Sequence, residues 1–238
     1  MNFDKFKDCF HESWHTKIQP FVESEQCDKI YEHLKKEVKR GKRIAPLSCN
    51  IYRCFMETPL TDVKVVMVGM CPYHSSKFDQ PIADGLLMGC STTQVLQPSL
   101  EQFYGAIERE LYDGLDLKHF KNPDVSYLAH QGVLMLNAAL TTEIGKAGSH
   151  IELWEPFTKY LFEEVLYYSG APVIFLGKDA SKYKKYCAPF TWTFTLSHPA
   201  SASYKNTDWD SEGAFGKVNK ILKDNNNFNI EWLDMLPF

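Results

Sequence analysis

The sequence lacks the long apolar runs that membrane proteins require. No apolar stretch among its 238 residues approaches the roughly 20 residues that would cross a bilayer. The amino-terminal residues, MNFDK and onward, also have no apolar centre of the kind found in signal peptides. We therefore expect a soluble protein that is not secreted and has no membrane partner.

The sequence also lacks any pattern of paired cysteines. Its seven cysteines are an odd number, and no two of them have the CxxC spacing that is common in zinc sites and redox pairs. Most have apolar neighbours. These features argue against a disulfide framework and against a metal site, and they predict an intracellular, reducing compartment, either the cytoplasm or the nucleus.

Positive charge is not in excess. The formal net charge of −4 argues against indiscriminate binding of nucleic acid. One basic run, Lys35–Arg43, is the exception. Such a run is more often a solvated helix face, but it leaves open a locally basic surface on an acidic protein.

Linkers and repeats are lacking as well. No internal repeat and no Pro-, Gly- or Ser-rich tract divides the chain. An apolar content of 44% in a chain of this length is sufficient for one large core. We predict a single domain that spans residues 1–238.

Strand-like and helix-like segments alternate along the chain. Four short segments have the length and the β-branched or aromatic content of strands. They are Val63–Val68, Val133–Leu136, Pro172–Leu176 and Thr191–Leu196. Segments with helical spacing of apolar residues are Cys27–Arg40, Ser99–Leu111, Trp154–Tyr168 and Gly213–Asp224. This alternation predicts an α/β fold, a three-layer α/β/α sandwich around a four-stranded, mostly parallel sheet.

The segments that follow each strand are the candidate site, because ligands of parallel sheets collect at the carboxyl ends of the strands. Asn137 offers the donor and acceptor that reading a pyrimidine edge requires, although a lone asparagine there is more often a turn former. His198 could donate to an oxygen that gains charge, or could be a satisfied structural histidine. Cys71 and His74 could form a nucleophilic pair, but Pro72 fixes the backbone between them, and a small buried thiol is the simpler interpretation.

Several motifs together resemble those of the family 1 uracil-DNA glycosylases. Met67–His74 resembles that family's water-activating loop, written GQDPYH, and Gly132–Thr141 is very similar to its GVLLLNxxLT strand. Ser197–Ser203 resembles the HPSPLS loop that enters the minor groove. Shorter similarities are Ala83–Met88 with AHGLxF, Gly148–His150 with NSH, and Trp154–Thr158 with WExFT. The parts follow one another in the family's order over most of the chain.

The resemblance implies a DNA-binding hydrolase without metal or organic cofactor, which extrudes a deoxyuridine and cleaves its N-glycosidic bond with water. It implies that Asn137 reads the uracil edge, that Tyr73 excludes a thymine methyl group, and that His198 stabilises charge on the base oxygen. His74 would support the water-activating loop. The positions that would meet DNA are Ser99, Gly177, Lys178, Ser201, Ala202, Ser203 and Lys205.

Four positions depart from the family pattern, and all of them fall on the functional surface. Cys71 stands in place of the catalytic aspartate, and a neutral thiol supplies no negative charge to an electron-poor sugar. Met70 replaces the usual glutamine, and Met88 replaces the phenylalanine that stacks on uracil; methionine can cover a base, but less rigidly than a ring. Ala202 replaces the leucine that the family inserts into the vacated base stack.

Several alternatives stay open. Asp84 or Asp79 could supply the missing carboxylate, although an ordinary surface aspartate is the simpler interpretation. The chain could be a glycosylase of reduced or altered activity towards uracil or another altered pyrimidine. It could instead be a catalytically impaired DNA-binding or replication-associated protein, or a module that docks a protein partner. In the first two cases we expect a monomer that binds single- or double-stranded DNA.

Overall fold

The computed structural model describes residues 2–115, 117 and 121–234. Its strands are β1 (Ile44–Ala45), β2 (Val65–Gly69), β3 (Ser76–Lys77), β4 (Gln80–Pro81), β5 (Val133–Asn137), β6 (Thr142–Glu143), β7 (Val173–Leu176) and β8 (Thr193–Leu196). Its α-helices are α1 (His15–Val22), α2 (Glu25–Lys39), α3 (Arg53–Glu57), α4 (Pro98–Leu111), α5 (Ser126–His130), α6 (Ile151–Tyr160), α7 (Lys178–Ser181), α8 (Pro199–Lys205) and α9 (Ala214–Asn226).

Four strands form a central sheet in the order β5-β2-β7-β8, and each neighbouring pair is parallel. Strands β2, β5 and β7 are buried along their whole length. Continuous apolar strands of this kind are typical of a parallel sheet that is covered on both faces. The short strands form two antiparallel pairs, β1 with β6 and β3 with β4.

Helices cover the two faces of the sheet. Helix α2 contacts both α1 and α6, while α4 contacts both α8 and α9. Helix α4 illustrates why these segments are helical, because it buries Phe103 and Ile107, four residues apart on one face, against the core. The predicted three-layer α/β/α architecture with a four-stranded sheet is confirmed, and the sheet is entirely parallel. No helix in the described part of the chain is long and apolar enough to span a membrane.

The boundaries of some elements differ from the sequence prediction. The helix predicted over Trp154–Tyr168 begins earlier, at Ile151, and α6 gives way to a π-helix over Leu161–Val165. The apolar spacing continues through the π-helix, so periodicity alone could not separate the two. Strand β7 begins at Val173 rather than at Pro172, because proline has no N–H to donate to a neighbouring strand.

The register of the sheet brings the candidate segments together. Gly69 at the end of β2 lies opposite Asn137 at the end of β5, and Leu176 at the end of β7 lies opposite Leu196 at the end of β8. The chain therefore leaves all four parallel strands at one edge of the sheet, and the loops that follow can share one site.

Candidate active site

A cavity of about 620 Å³ lies at this carboxyl edge of the sheet. The candidate residues that line it are Met70, Cys71, Tyr73, His74, Met88, Ser99, Gly177, Lys178, His198, Ser201 and Ser203. Asn137, Ala202 and Lys205 do not belong to the lining. Lining residues that were not predicted as site residues include Leu87, Gln97, Asp179 and Tyr204.

The hydrogen bonding of His198 indicates which nitrogen of its imidazole carries the proton. His198 is the N-cap of α8, and its Nδ1 accepts a hydrogen bond of 3.2 Å from the backbone N–H of Ala200. Burial lowers the pKa of His198, so the ring is neutral near pH 7. The single ring proton is then on Nε2, and no described residue accepts a hydrogen bond from this atom. His198 thus offers the cavity a neutral N–H donor.

Gly177 permits the close approach of His198 to the turn after β7. A Cβ at residue 177 would lie 3.2 Å from the Cβ of His198, and the backbone φ of Gly177 is +89°. Both the close approach and the left-handed φ favour glycine. The turn after β7 therefore sets the position of the imidazole at the end of β8.

Asn137, at the carboxyl end of β5, is buried with an acceptor that has no partner among the described residues. Its side chain is 2% exposed, and its Oδ1 accepts no hydrogen bond from the described residues. A Cβ at Gly69 would lie 2.3 Å from Leu87 Cδ1 and 3.4 Å from Asn137 Oδ1. The absence of a side chain at Gly69 thus leaves room for both neighbours. Thr93 Oγ1 and Trp232 Nε1 are also buried without partners among the described residues, so the missing partner of Asn137 Oδ1 indicates a ligand-binding position only together with its place at the carboxyl edge of the sheet.

Tyr73 and Ser99 form one wall of the cavity. The Tyr73 hydroxyl and the Ser99 Oγ are 2.6 Å apart in a hydrogen bond, and burial raises the pKa of Tyr73. Ser99 is 4% exposed, so its hydroxyl is largely committed to this contact. The bond holds the tyrosine ring against the first turn of α4, where the ring limits the width of the cavity.

Cys71 lies near the start of the loop after β2 and is a neutral thiol. The backbone N–H of Gly148 donates to its Sγ at 3.3 Å. Burial raises the pKa of the thiol, and the negative charge of Asp179 raises it further, while the Gly148 N–H opposes both. The sulfur therefore carries no charge near pH 7 and is a poor ligand for an oriented water.

Two methionines complete the apolar part of the wall. Met88 is 4% exposed and has a positive φ of 60°, a conformation that is uncommon for a residue with a side chain. Met70 follows Gly69 and lines the same cavity. Thioether side chains at both positions can cover a flat ligand without fixing its orientation.

The structure contradicts the hypothesis that Asp84 or Asp79 replaces the missing carboxylate. Asp84 is fully buried outside the cavity, where it pairs with Arg53 at 2.9 Å and accepts hydrogen bonds from Ser91 and Leu86. Asp79 is 89% exposed in its side chain and pairs with Arg43 at 3.0 Å. Sequence proximity to the loop placed both residues near the site, but their ion pairs hold them elsewhere.

Asp179 is the one carboxylate among the described residues that line the cavity. It is the second residue of α7, after Lys178, and its Oδ1 accepts a hydrogen bond of 2.5 Å from Lys182. Its position three residues after β7 is the sequence signal that could have placed it at the cavity. Lys182 and Asp179 thus form an ion pair that is partly exposed to solvent.

The loop after Asn137 is tied to two helices by a buried chain of hydrogen bonds. Burial lowers the pKa of His150, whose Nε2 donates to Glu37 at 2.7 Å and whose Nδ1 accepts from Thr141 at 2.8 Å. Trp154 donates to the same Thr141 hydroxyl at 2.7 Å. This chain of bonds fixes the exit of β5 and, through it, the side chain of Asn137.

The same cluster has the only grouping of metal-ligating atoms in the described part of the chain. The atoms of His33, Glu37 and His150 lie within 4.8 Å of one another. However, Lys42 forms a short hydrogen bond to Glu37, and Thr141 occupies the other nitrogen of His150. These contacts satisfy the cluster without an ion, and it lies outside the cavity.

Helix α8 contributes Ala200, Ser201, Ser203 and Tyr204 to the lining of the cavity. Ser201 donates to the His198 carbonyl at 2.7 Å, and Ser203 donates to the Pro98 carbonyl at 3.1 Å. Ala202 is 5% exposed and belongs to the hydrophobic core. Lys205 is exposed at the end of the helix. The helix is therefore anchored through its serines and through Ala202, beside an open cavity mouth.

The fold and the cavity together define a class: a three-layer α/β/α protein that can hold a flat, base-sized ligand between a neutral imidazole donor and apolar walls. Comparison with known proteins agrees with this class. The family described as the uracil DNA glycosylase superfamily matches residues 55–223. The chain belongs to this superfamily.

Relatives cover nearly the whole chain. A uracil-DNA glycosylase of Streptococcus pneumoniae is 33% identical over 227 residues, which are 94% of this chain and 99% of the relative. The crystal structure of mimivirus uracil-DNA glycosylase matches with a TM-score of 0.82 at 22% identity, over 97% of this chain and 92% of that one. A mimivirus UNG variant in complex with UGI matches with a TM-score of 0.83 at 24% identity, over 97% of this chain and 94% of that one. These two structures support the fold.

Proposed function

We propose that this chain is a uracil-DNA glycosylase that accepts a uracil extruded from DNA and hydrolyses its N-glycosidic bond slowly. The observation that carries the proposal is the neutral His198 donor in the cavity wall, at the same carboxyl edge of the sheet as the buried, unpartnered Oδ1 of Asn137. A uracil edge presents an N–H to such an acceptor and a carbonyl oxygen to such a donor. Hydrolysis of this bond is the activity that the chain's family and its relatives support.

The base side of the cavity stabilises the leaving group. When the bond between the sugar and the base breaks, its electron pair passes to the base, and negative charge develops on the base oxygen. The Nε2–H of neutral His198 can donate to that oxygen without first gaining a proton. The Tyr73 ring, held by Ser99, narrows the space in which a thymine methyl group would have to fit.

On the sugar side, the cavity offers much less stabilisation to the transition state. The sugar becomes an oxocarbenium-like cation that a water must attack, and a nearby carboxylate would both orient the water and stabilise the cation. Cys71 takes the position of the family aspartate and is a neutral thiol here. Because a positioned general base contributes about 10²–10⁴ in rate, we expect the reaction to be slower by a factor of this order, and not abolished.

The rim of the cavity would bind the DNA backbone. Lys178 is exposed at the start of α7, and Lys205 is exposed at the end of α8. Gly177, whose own N–H is bonded to Leu196, would place Lys178 beside the phosphates, and such contacts position the DNA without reading its sequence. The hydroxyls of Ser201 and Ser203 donate to the His198 and Pro98 carbonyls and would have to leave these partners to reach a phosphate. We further propose that the protein acts as a single-domain monomer in a reducing compartment and needs no cofactor.

A second candidate function is favoured by the same thiol. If Cys71 removes too much of the transition-state stabilisation, the chain would bind uracil-containing DNA without cleaving it at a useful rate, and would serve as a DNA-binding or replication-associated protein. The two functions share the cavity and differ only in the fate of the glycosidic bond.

Incubation of the purified protein with uracil-containing DNA separates the two candidates. Single- and double-stranded substrates are mixed with excess protein, and abasic sites are measured over time, with thymine in place of uracil as the control. Time-dependent abasic sites in uracil DNA alone would support the glycosylase. Binding that prefers uracil DNA, with no abasic sites after prolonged incubation, would contradict it and support the binding protein.

A further inference from the structure

One large aromatic side chain stands exposed at the rim of the cavity. Tyr204 lies on α8, lines the cavity and is 89% exposed. Its hydroxyl makes no hydrogen bond to any described residue. By contrast, Ala202, two residues earlier, is 5% exposed and points into the core.

A duplex from which a base has been extruded has a gap that must be filled. Proteins that distort DNA often insert apolar or aromatic side chains at such steps, and the inserted group stabilises the open state. An alanine carries one methyl group, and Ala202 is buried, so it cannot reach into a neighbouring duplex. The helix therefore needs another residue for this purpose.

We propose that Tyr204 is the residue that enters the DNA stack when the target base moves into the cavity. This inference rests on the proposed function. The Tyr204 ring is exposed on the same short helix whose N-cap is His198, so one rigid element carries both groups. A phenol ring can stack on the bases that flank the gap, irrespective of their identity.

The backbone around Tyr204 is already ordered for this role. Ser203 is bonded to the Pro98 carbonyl at the start of α4, and α8 contacts α4 along its length. Asn206, in the left-handed conformation, ends the helix by donating its backbone N–H to the Ser203 carbonyl at 3.3 Å. Only the side chain of Tyr204 would have to be fixed on binding, which keeps the entropic cost of insertion small.

The charges beside Tyr204 suit a nucleic acid. Lys205 follows it directly, and Lys178 stands at another part of the cavity rim; both are exposed. Cations next to an exposed ring are the usual combination for holding a backbone while stacking on its bases. The ring is thus placed where DNA phosphates would be attracted.

The chain has a second exposed tyrosine, Tyr168, which serves as a matched control for Tyr204. Tyr168 is 83% exposed, but it precedes β7, at the amino ends of the strands, and it does not line the cavity. Tyr168→Ala removes the same kind of side chain from the opposite edge of the sheet.

The test compares duplex and single-stranded DNA that carry one uracil nucleotide, fluorinated on the sugar so that the glycosidic bond resists cleavage. A fluorescent purine analogue beside the uracil reports unstacking. We expect Tyr204→Ala to weaken binding and unstacking of the duplex by about tenfold, since stacking on one ring contributes about that much. The same variant should bind the single strand like wild type, because a single strand has no gap to fill. Tyr204→Phe and Tyr168→Ala should behave like wild type on both.

Two results would overturn the proposed role of Tyr204 and leave the proposed function of the protein intact. One is wild-type duplex binding by Tyr204→Ala. The other is an equal loss on duplex and single strand, which would indicate a contact with the backbone. If the wild-type protein shows no preference for uracil DNA of either kind, the proposed function fails, and the role of Tyr204 fails with it.

Discussion

In the function that we propose, the residues assigned to the base and those assigned to the sugar differ in how well they suit their roles. On the base side, the Nδ1 of His198 is bonded to a backbone N–H, which leaves the ring proton on Nε2. Tyr73 is bonded to Ser99, and the Oδ1 of Asn137 has no partner among the described residues. On the sugar side, Cys71 is neutral, and Asp179, the one carboxylate among the described lining residues, is bonded to Lys182. Under the proposed function, recognition of the base and attack on the sugar therefore rest on separate residues, and one could be lost without the other.

The sharpest way to test this contrast is to restore a carboxylate on the sugar side. We expect Cys71→Asp to raise the single-turnover rate of uracil excision by about 10²–10⁴, because it adds the general base and the negative charge that the thiol lacks. Cys71→Ala is the matched control and should change the rate little. An unchanged rate in Cys71→Asp would show that the base side is also defective.

Removal of the base-side donor should have the next largest effect. His198→Ala is expected to lower the excision rate by about 10²–10³, the usual loss when one preorganised donor to a developing oxyanion is removed. Affinity for uracil DNA, measured by fluorescence anisotropy, should change much less. A variant that excises uracil as fast as wild type would place the leaving-group stabilisation on other atoms.

A substitution of Asp179 tests whether the sugar side lacks an effective negative charge. Because Lys182 and solvent offset its carboxylate, Asp179→Asn should lower the excision rate by about fivefold or less. Single-turnover kinetics at saturating protein would measure the change without interference from binding. A loss as large as that of His198→Ala would mean that Asp179 supplies the missing carboxylate, and the two sides would then be equally equipped.

A change of pH around neutrality should alter the excision rate less than any of these substitutions. The pKa of His198 is lowered from 6.5, and that of Cys71 is raised from 9.0. Neither group then changes its charge between about pH 7 and pH 8.5, so the excision rate should be level over this range. Protonation of His198 would affect the rate only below pH 6.5. A steep rise between pH 7 and 8.5 would indicate that the thiolate takes part after all.

Most of the fold could be predicted from the sequence, because buried parallel strands are short, continuous and apolar, as Val133–Asn137 and Val173–Leu176 show. The position of the site followed from the same reasoning, since loops after parallel strands meet at one edge. The order of the motifs then identified the family that the comparisons show.

Side-chain direction could not be predicted in the same way. The proton on His198 depends on a backbone N–H two residues later, and the burial of Ala202 depends on how α8 lies on α4. Asp84 lies close to the loop in sequence, but its ion pair with Arg53 turns it into the protein. Such outcomes depend on long-range packing, which residue spacing does not describe.

The unpartnered Oδ1 of Asn137 has a consequence for what happens after the reaction. An unsatisfied buried acceptor costs about 1–3 kcal/mol, and any molecule that donates to it recovers part of that cost. The freed base keeps the N–H that Asn137 requires, so it would remain in the cavity and raise the melting temperature of the protein in proportion to its occupancy. Departure of the base, as well as cleavage, can therefore limit the turnover of this protein.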